Sequence, residues 1–267
     1  MEKVYQSLDQ LISLKGRTAL ITGAVGGIGK ATALRLGEAG ASLVLADRDE
    51  PGLKKLSALL SSQGISVSYF AVDLEKKEEI DRLWTHDECR KVNILVNNAG
   101  IYPFKDFTKL DEAYLTKVMN VNLYSVIWMC QHFVRVNKRR KGVIINIGSI
   151  EAIMPFKKDM AHYAVSKVGV IALTRDLARD FGRKGIRVNA VIPGGIVTSG
   201  TKGAAKRAII GLDFKLMADG YNFMQRLPSG RLGDPDEVAR MILVLSSDLS
   251  TYVYGALVTV DGGFLSA

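Results

Sequence analysis

The sequence predicts an α/β fold, a doubly wound parallel sheet of about seven strands with helices on both faces. Three observations carry this. Short apolar runs rich in Val, Ile and Leu alternate along the chain with longer segments of helical periodicity. The first run leads at once into a glycine cluster and then a helical pattern, the strand, turn and helix of a phosphate cradle. Acids and amides stand where the runs finish, at Asp47, Asp73 and Asn97-Asn98, and ligands of such sheets bind at the carboxyl ends of the strands.

Taken in order, residues 4–12 place Val4, Leu8, Leu11 and Ile12 at helical spacing, a short amphipathic arm within residues 1–14. Strands are expected at 18–22, 42–46, 66–72, 92–96, 142–147, 186–192 and 256–260. Helical patterns fill 30–38, 53–61, 76–86, 111–136, 160–181 and 236–246. From Ser199 to Leu232 strand character is lost and glycine mixes with short helical stretches such as 215–224, a length that suits a lid. No linker or internal repeat divides the chain, so 1–267 is read as one domain.

With 267 residues, 48% of them hydrophobic, the chain can bury a large core. Its apolar runs are too short to span a membrane and its start lacks a secretory core, so a soluble, cytoplasmic protein with no membrane partner is expected. Cys89 and Cys130 lack metal-ligand spacing and read as reduced thiols. His86, His132 and His162 are scattered, and no metal site is expected. The net charge of +9 is spread along the chain, which argues against nucleic acid. Its one dense run, Lys138 to Lys141, follows a helix and complements that helix's dipole.

Glycines at Gly23, Gly27 and Gly29 let a backbone approach a pyrophosphate, with Ile28 opening the helix. Asp47 lies eighteen residues past Gly29, where a carboxylate accepts from adenosine ribose hydroxyls and repels a 2′-phosphate. The adjoining Arg48 could instead accept that phosphate, so NAD is expected with NADP the less favoured cofactor. Tyr163 and Lys167 stand four apart in a helical pattern and share a face, where the ammonium is expected to lower the phenol pKa towards the range useful for proton transfer. Tyrosine and lysine at this spacing also occur on ordinary solvated helix faces. Ser149 has no Gly-x-Ser-x-Gly elbow around it, which excludes a serine hydrolase of that type.

Together these elements resemble the single-domain short-chain dehydrogenase/reductases. The match rests on Thr22-Gly23-x-x-x-Gly27-Ile28-Gly29, Asn97-Asn98-Ala99-Gly100, Asn122, Ser149, Tyr163-x-x-x-Lys167, Pro193-Gly194, Thr198, Gly230-Arg231 and Val260-Asp261-Gly262-Gly263. It covers about Leu14 to Phe264. The resemblance implies a Rossmann fold and hydride exchange between a nicotinamide and a secondary alcohol or ketone. Tyr163 would be general acid and base, Ser149 would orient the substrate oxygen, and Lys167 would hold the nicotinamide ribose. Asn122 would link a water chain to the lysine. Asp73 and Leu74 would meet the adenine, Asn98, Ala99 and Gly100 the adenosine ribose, and Pro193, Gly194, Ile196 and Thr198 the nicotinamide end. Glu151 and Gly195 flank the expected substrate. A homodimer or homotetramer is implied, with the stripe Ile127, Cys130 and Val134 on a subunit contact or else covering the sheet. Two rivals stand beside this: a 3-oxoacyl-[acyl-carrier-protein] reductase, with Arg140 and Lys184 where a carrier would dock, and a catalytically silent nucleotide-binding protein.

Overall fold

The computed structural model describes residues 5–198 and 214–267, and each expected apolar run forms a strand in it. These are β1 (Thr18–Thr22), β2 (Ser42–Asp47), β3 (Val67–Ala71), β4 (Ile94–Asn97), β5 (Gly142–Ile147), β6 (Ile186–Pro193) and β7 (Leu257–Val260). All pairings are parallel, in the order β3-β2-β1-β4-β5-β6-β7. The chain therefore winds outward from β1 to β3, then returns to β4 on the other side of β1. That reversal leaves a crevice at the carboxyl ends of β1 and β4.

The helices are α1 (Leu8–Ile12), α2 (Gly27–Glu38), α3 (Glu50–Ser62), α4 (Lys77–Leu83), α5 (Asp87–Arg90), α6 (Glu112–Met119), α7 (Ser125–Val136), α8 (Ala161–Phe181), α9 (Phe214–Gln225) and α10 (Pro235–Ser246). Period-two alternation in the strands assigns them to layers. Ala19, Ile21, Leu43, Leu45, Ile94 and Val96 face one way, into a core shared with α2, α3 and α10. Their neighbours Leu20, Val44, Ala46 and Leu95 face the other, against α4, α7 and α8. A bidentate pair from Arg35 to Asp236, at 2.5 and 3.0 Å, ties α2 to α10. No helix among the described residues is long and apolar enough to cross a membrane.

The largest departure from the expected elements is the long helix over 111–136. It is broken into α6 and α7 by a π-helical turn, Asn120–Tyr124. Of the stripe read as a subunit contact or a cover for the sheet, Cys130 is buried and Val134 packs beside it in the core, so these two cover the sheet, while Ile127 is half-buried. Before β4, Cys89 and Arg90 end the short α5 and Lys91 is its C-cap, with Cys89 fully buried. The lid helix is α9, one residue longer at each end than expected. Of the other sequence expectations, Val4 of the arm and residues 199–213 of the lid lie outside the described residues.

Candidate active site

The crevice is built first from backbone. Gly23 follows β1 with φ +62°, and a Cβ on it would lie 2.8 Å from Ala99 Cα. One on Gly29 would lie 2.1 Å from the Gly23 carbonyl oxygen. Only glycine permits this fold-back, which brings the first turn of α2 beneath β1. Gly26 caps α2 with no side-chain bond, so the leading N–H groups of the helix face the crevice uncapped, as an anion requires. Ile28 packs half-buried against the core. Thr198 comes from the far side onto this helix start, its Cγ2 3.2 Å from where a Gly27 Cβ would stand.

Asp47 finishes β2 and holds the turn: Oδ2 accepts from Val25 N at 3.0 Å and Oδ1 from Asp49 N at 3.1 Å. Arg48 beside it is exposed and forms no ion pair among the described residues. Asn98 clamps the other side, its Nδ2 donating to the carbonyls of Thr22 and Gly23, each at 3.0 Å. Thr22 Oγ1 accepts from the N–H groups of Asn98 and Ala99. Asp73 stands after β3, where its Oδ1 accepts from Glu75 N, and Leu74 is buried behind it. Pro193 closes β6, and the Gly194 N–H bonds Val260 O at 3.0 Å. Ile196 bridges to Gly233, while Gly195 lies so close to Phe223 that a Cβ would meet its ring at 2.4 Å.

The four expected catalytic side chains converge where β4, β5 and α8 meet. Asn122 explains the π turn. Its Oδ1 accepts from Ile101 N at 2.8 Å, and its Nδ2 donates to Ile101 O at 3.0 Å and Ser166 Oγ at 3.3 Å. The wide turn carries the amide out of the helix to these partners, as π turns at functional sites do. Gly100 lies alongside: a Cβ there would be 3.4 Å from Asn122 Oδ1 and 3.5 Å from Lys167 Nζ.

Lys167 is 4% exposed, and its ammonium donates to Ile147 O at 2.8 Å. Burial lowers its pKa to about 8. An ammonium has three donors, so capacity remains for ribose hydroxyls facing the same crevice. The uncapped helix, Asp47 and this buried cation together fit a dinucleotide. Tyr163 departs from the sequence expectation: its pKa is raised to about 12, chiefly by burial, with the Glu151 charge adding to the rise and a hydrogen bond from Ser149 opposing it. The expected lowering by Lys167 is absent because the ammonium turns to Ile147 O, with Nζ 6.0 Å from the phenol ring centre.

Ser149 begins a short 3₁₀ turn, Ile150–Ala152, and its Oγ accepts from Glu151 N at 3.2 Å. Glu151 is 1% exposed, its pKa raised by burial against the pull of the Phe156 and Lys157 N–H groups. Over the site stands Tyr102, edge-on to Tyr163 with ring centres 4.9 Å apart, and then Phe104. The Lys157 ammonium lies 5.5 Å from the centre of the Tyr102 ring and 5.6 Å from that of Phe104.

Sequence reasoning gave no role to Ser166 or to the chain Asn97–Asn146–Thr174. Ser166 bonds the Tyr163 carbonyl at 2.7 Å and receives Asn122, which links the two helices of the site. Asn97 donates to Asn146 Oδ1 and Asn146 to Thr174 Oγ1, each at 2.9 Å, which pins α8 to β4 and β5. The available signal was spacing: Ser166 and Thr174 fall at helical intervals from Tyr163 and Lys167, on the buried face.

Among known proteins, the family described as Enoyl-(Acyl carrier protein) reductase matches residues 23–265. The 3-oxoacyl-[acyl-carrier-protein] reductase of Thermotoga maritima is 34% identical over 94% of this chain and 99% of its own. The 2-dehydro-3-deoxy-D-gluconate 5-dehydrogenase of Bacillus subtilis is 36% identical over 97% of this chain and 98% of its own. A gluconate 5-dehydrogenase from Burkholderia cenocepacia, solved with NADP and tartrate, superposes with a TM-score of 0.86 at 31% identity, covering 98% of this chain and all of that one. The NADP in that structure lends no support to the NAD preference expected from Asp47.

Proposed function

Because this chain belongs to the short-chain dehydrogenase/reductase family, we propose that it exchanges a hydride between a nicotinamide dinucleotide and a secondary alcohol or ketone. The observation that carries this is the convergence of Asn122, Ser149, Tyr163 and Lys167 beside an uncapped glycine-rich helix start. The nicotinamide, when bound, supplies or accepts the hydride.

In reduction Tyr163 gives its phenolic proton to the developing alkoxide, and its high pKa keeps that proton in place throughout the neutral range. Ser149 holds the substrate oxygen against the phenol. Lys167 holds the nicotinamide ribose, and Asn122 keeps the Ile101 backbone and the Ser166 hydroxyl around it in register. In oxidation Tyr163 takes the hydroxyl proton instead. Lys167 then favours phenolate only if its ammonium shifts from Ile147 O towards the phenol oxygen.

Asp47 supports NAD, since its charge opposes a 2′-phosphate. The NADP-bound relative and the exposed guanidinium of Arg48 support NADP. Initial rates with each cofactor decide between them. A second substrate reading is the acyl-carrier reduction named for the Thermotoga relative. Against it, Arg140 is engaged with the carbonyls of Arg90 and Val136, which supports the helix-end reading over carrier docking. Exposed Leu115, Tyr124, Val165 and Val168 on α6, the π turn and α8 support a homodimer or homotetramer, which sedimentation checks.

The deciding experiment is a cofactor-linked screen of alcohols, ketones and carrier-bound 3-oxoacyl groups, with Tyr163→Phe as the blank. Turnover by the wild type that the variant lacks sustains the proposal. Equal turnover by both, or none with either cofactor, ends it, and cofactor binding without turnover returns the silent reading.

A further inference from the structure

Glu151 is a buried charged group beside the site that the mechanism leaves unused. Its backbone N–H is fixed by Ser149 Oγ, so the residue that orients the reacting oxygen also places this carboxyl. Oε1 accepts two long bonds, from Phe156 N at 3.3 Å and Lys157 N at 3.4 Å. Oε2 is buried and has no hydrogen-bond partner among the described residues. The carboxyl lies near enough to both Tyr163 and Tyr102 for its charge to act on each phenol. An unmet carboxyl oxygen at such depth costs roughly 1–3 kcal/mol or more, and groups of this kind normally have partners.

Resting on the dehydrogenase reading above, we propose that Glu151 binds a second hydroxyl of the substrate, so the chain selects polyols, sugars or hydroxy acids with a hydroxyl next to the reacting carbon. Ser149 and Tyr163 take the reacting oxygen, so Oε2, carried two residues beyond Ser149 in the same turn, would take a neighbouring group of the substrate. A hydroxyl suits the carboxyl in either protonation state, because it donates to a carboxylate and accepts from the acid. An ammonium would suit only the ionised form, and the neighbouring Lys157 already supplies positive charge there. A simple alcohol would keep Oε2 unmet in the transition state, which is how polar sites reject substrates lacking the matching group.

The test uses 2,3-butanediol, 2-butanol and 3-amino-2-butanol, which share a carbon skeleton, with NAD and NADP each at saturation. Wild type is expected to favour the diol over the mono-ol by about 100-fold in kcat/KM. Glu151→Leu should lose most of that ratio and Glu151→Gln part of it, the loss falling on the diol. Should the leucine variant fail to fold, the wild-type ranking and the near-isosteric glutamine variant still decide. Equal use of diol and mono-ol by wild type overturns the inference, as does a diol preference unchanged in Glu151→Gln and Glu151→Leu or a preference for the amino alcohol. Any of these outcomes leaves the dehydrogenase reading standing. A wild type that oxidises no alcohol in the wider screen overturns both.

Discussion

The two sides of the crevice are built by different means. On the cofactor side, the contacts end on backbone: Gly29 under the Gly23 carbonyl, the Asn98 amide on the carbonyls of Thr22 and Gly23 at the carboxyl end of β1, the Asp47 carboxylate on the Val25 N–H of the turn. On the substrate side, side chains supply the packing: Tyr102 on Tyr163, Phe223 over Gly195, Lys157 among aromatic rings. Backbone contacts tolerate almost no change of residue, whereas side-chain contacts can be rebuilt one at a time. A fixed cofactor can thus be held while the substrate varies. The substrate side also stores strain, since Asp159, just before α8, has φ 61° in the left-handed region that only glycine adopts freely.

Substitutions on the two sides should separate chemistry from architecture. Tyr163→Phe is expected to lower kcat by about 1,000-fold while leaving the melting temperature and cofactor affinity nearly unchanged, as read by turnover, calorimetry and nucleotide fluorescence. Gly29→Ala, on the backbone side, should destabilise the fold by about 3 kcal/mol and abolish nucleotide binding, because its Cβ meets a carbonyl oxygen that has nowhere to move.

Lys167→Met divides the two properties within one residue. The pKa of Lys167 in the fold, about 8, lies below its ordinary value of 10.5, so between these values the unfolded chain binds more protons and stability rises with pH. Below pH 8 the buried charge opposes folding. Methionine should therefore stabilise the chain by about 2 kcal/mol at pH 7, and this advantage should fade towards pH 10.5 in denaturant melts. The same variant should lose both turnover and cofactor affinity. The smallest effect is expected of Asp47→Ala: about a tenfold shift of the kcat/KM ratio towards NADP, with a modest loss of stability as the Val25 N–H loses its acceptor.

A pH profile sharpens the contrast further. Tyr163 holds its proton up to about pH 12 in the chain alone, so reduction should be nearly flat from pH 6 to about 8. Oxidation needs the phenolate and should climb with pH across that interval. A bell centred near neutrality for oxidation would show that bound cofactor lowers the phenol pKa strongly.

Strands and layers were legible because burial on both faces writes continuous apolar runs, and because glycine at Gly23 and Gly29 has no substitute in a turn this tight. The expected catalytic positions were read from spacing and family likeness, and the fold brings Asn122, Ser149, Tyr163 and Lys167 together. The π turn was not, since Asn120–Tyr124 has the periodicity of ordinary helix and its register changes only when Asn122 finds Ile101 and Ser166. The stripe Ile127, Cys130 and Val134 was ambiguous for a similar reason: apolar spacing names a face but not what covers it.

The sequence by itself determined the parallel, doubly wound class, the glycine turn and the shared helix face of Tyr163 and Lys167, all of which depend on local residue type and interval. Tertiary structure decided the electrostatics. A phenol and an ammonium on one helix face would each titrate near their ordinary values in water. Burial moves Tyr163 up and Lys167 down, and leaves a carboxyl oxygen of Glu151 without a partner. Desolvation depends on everything packed around a group, and no interval along the chain records it.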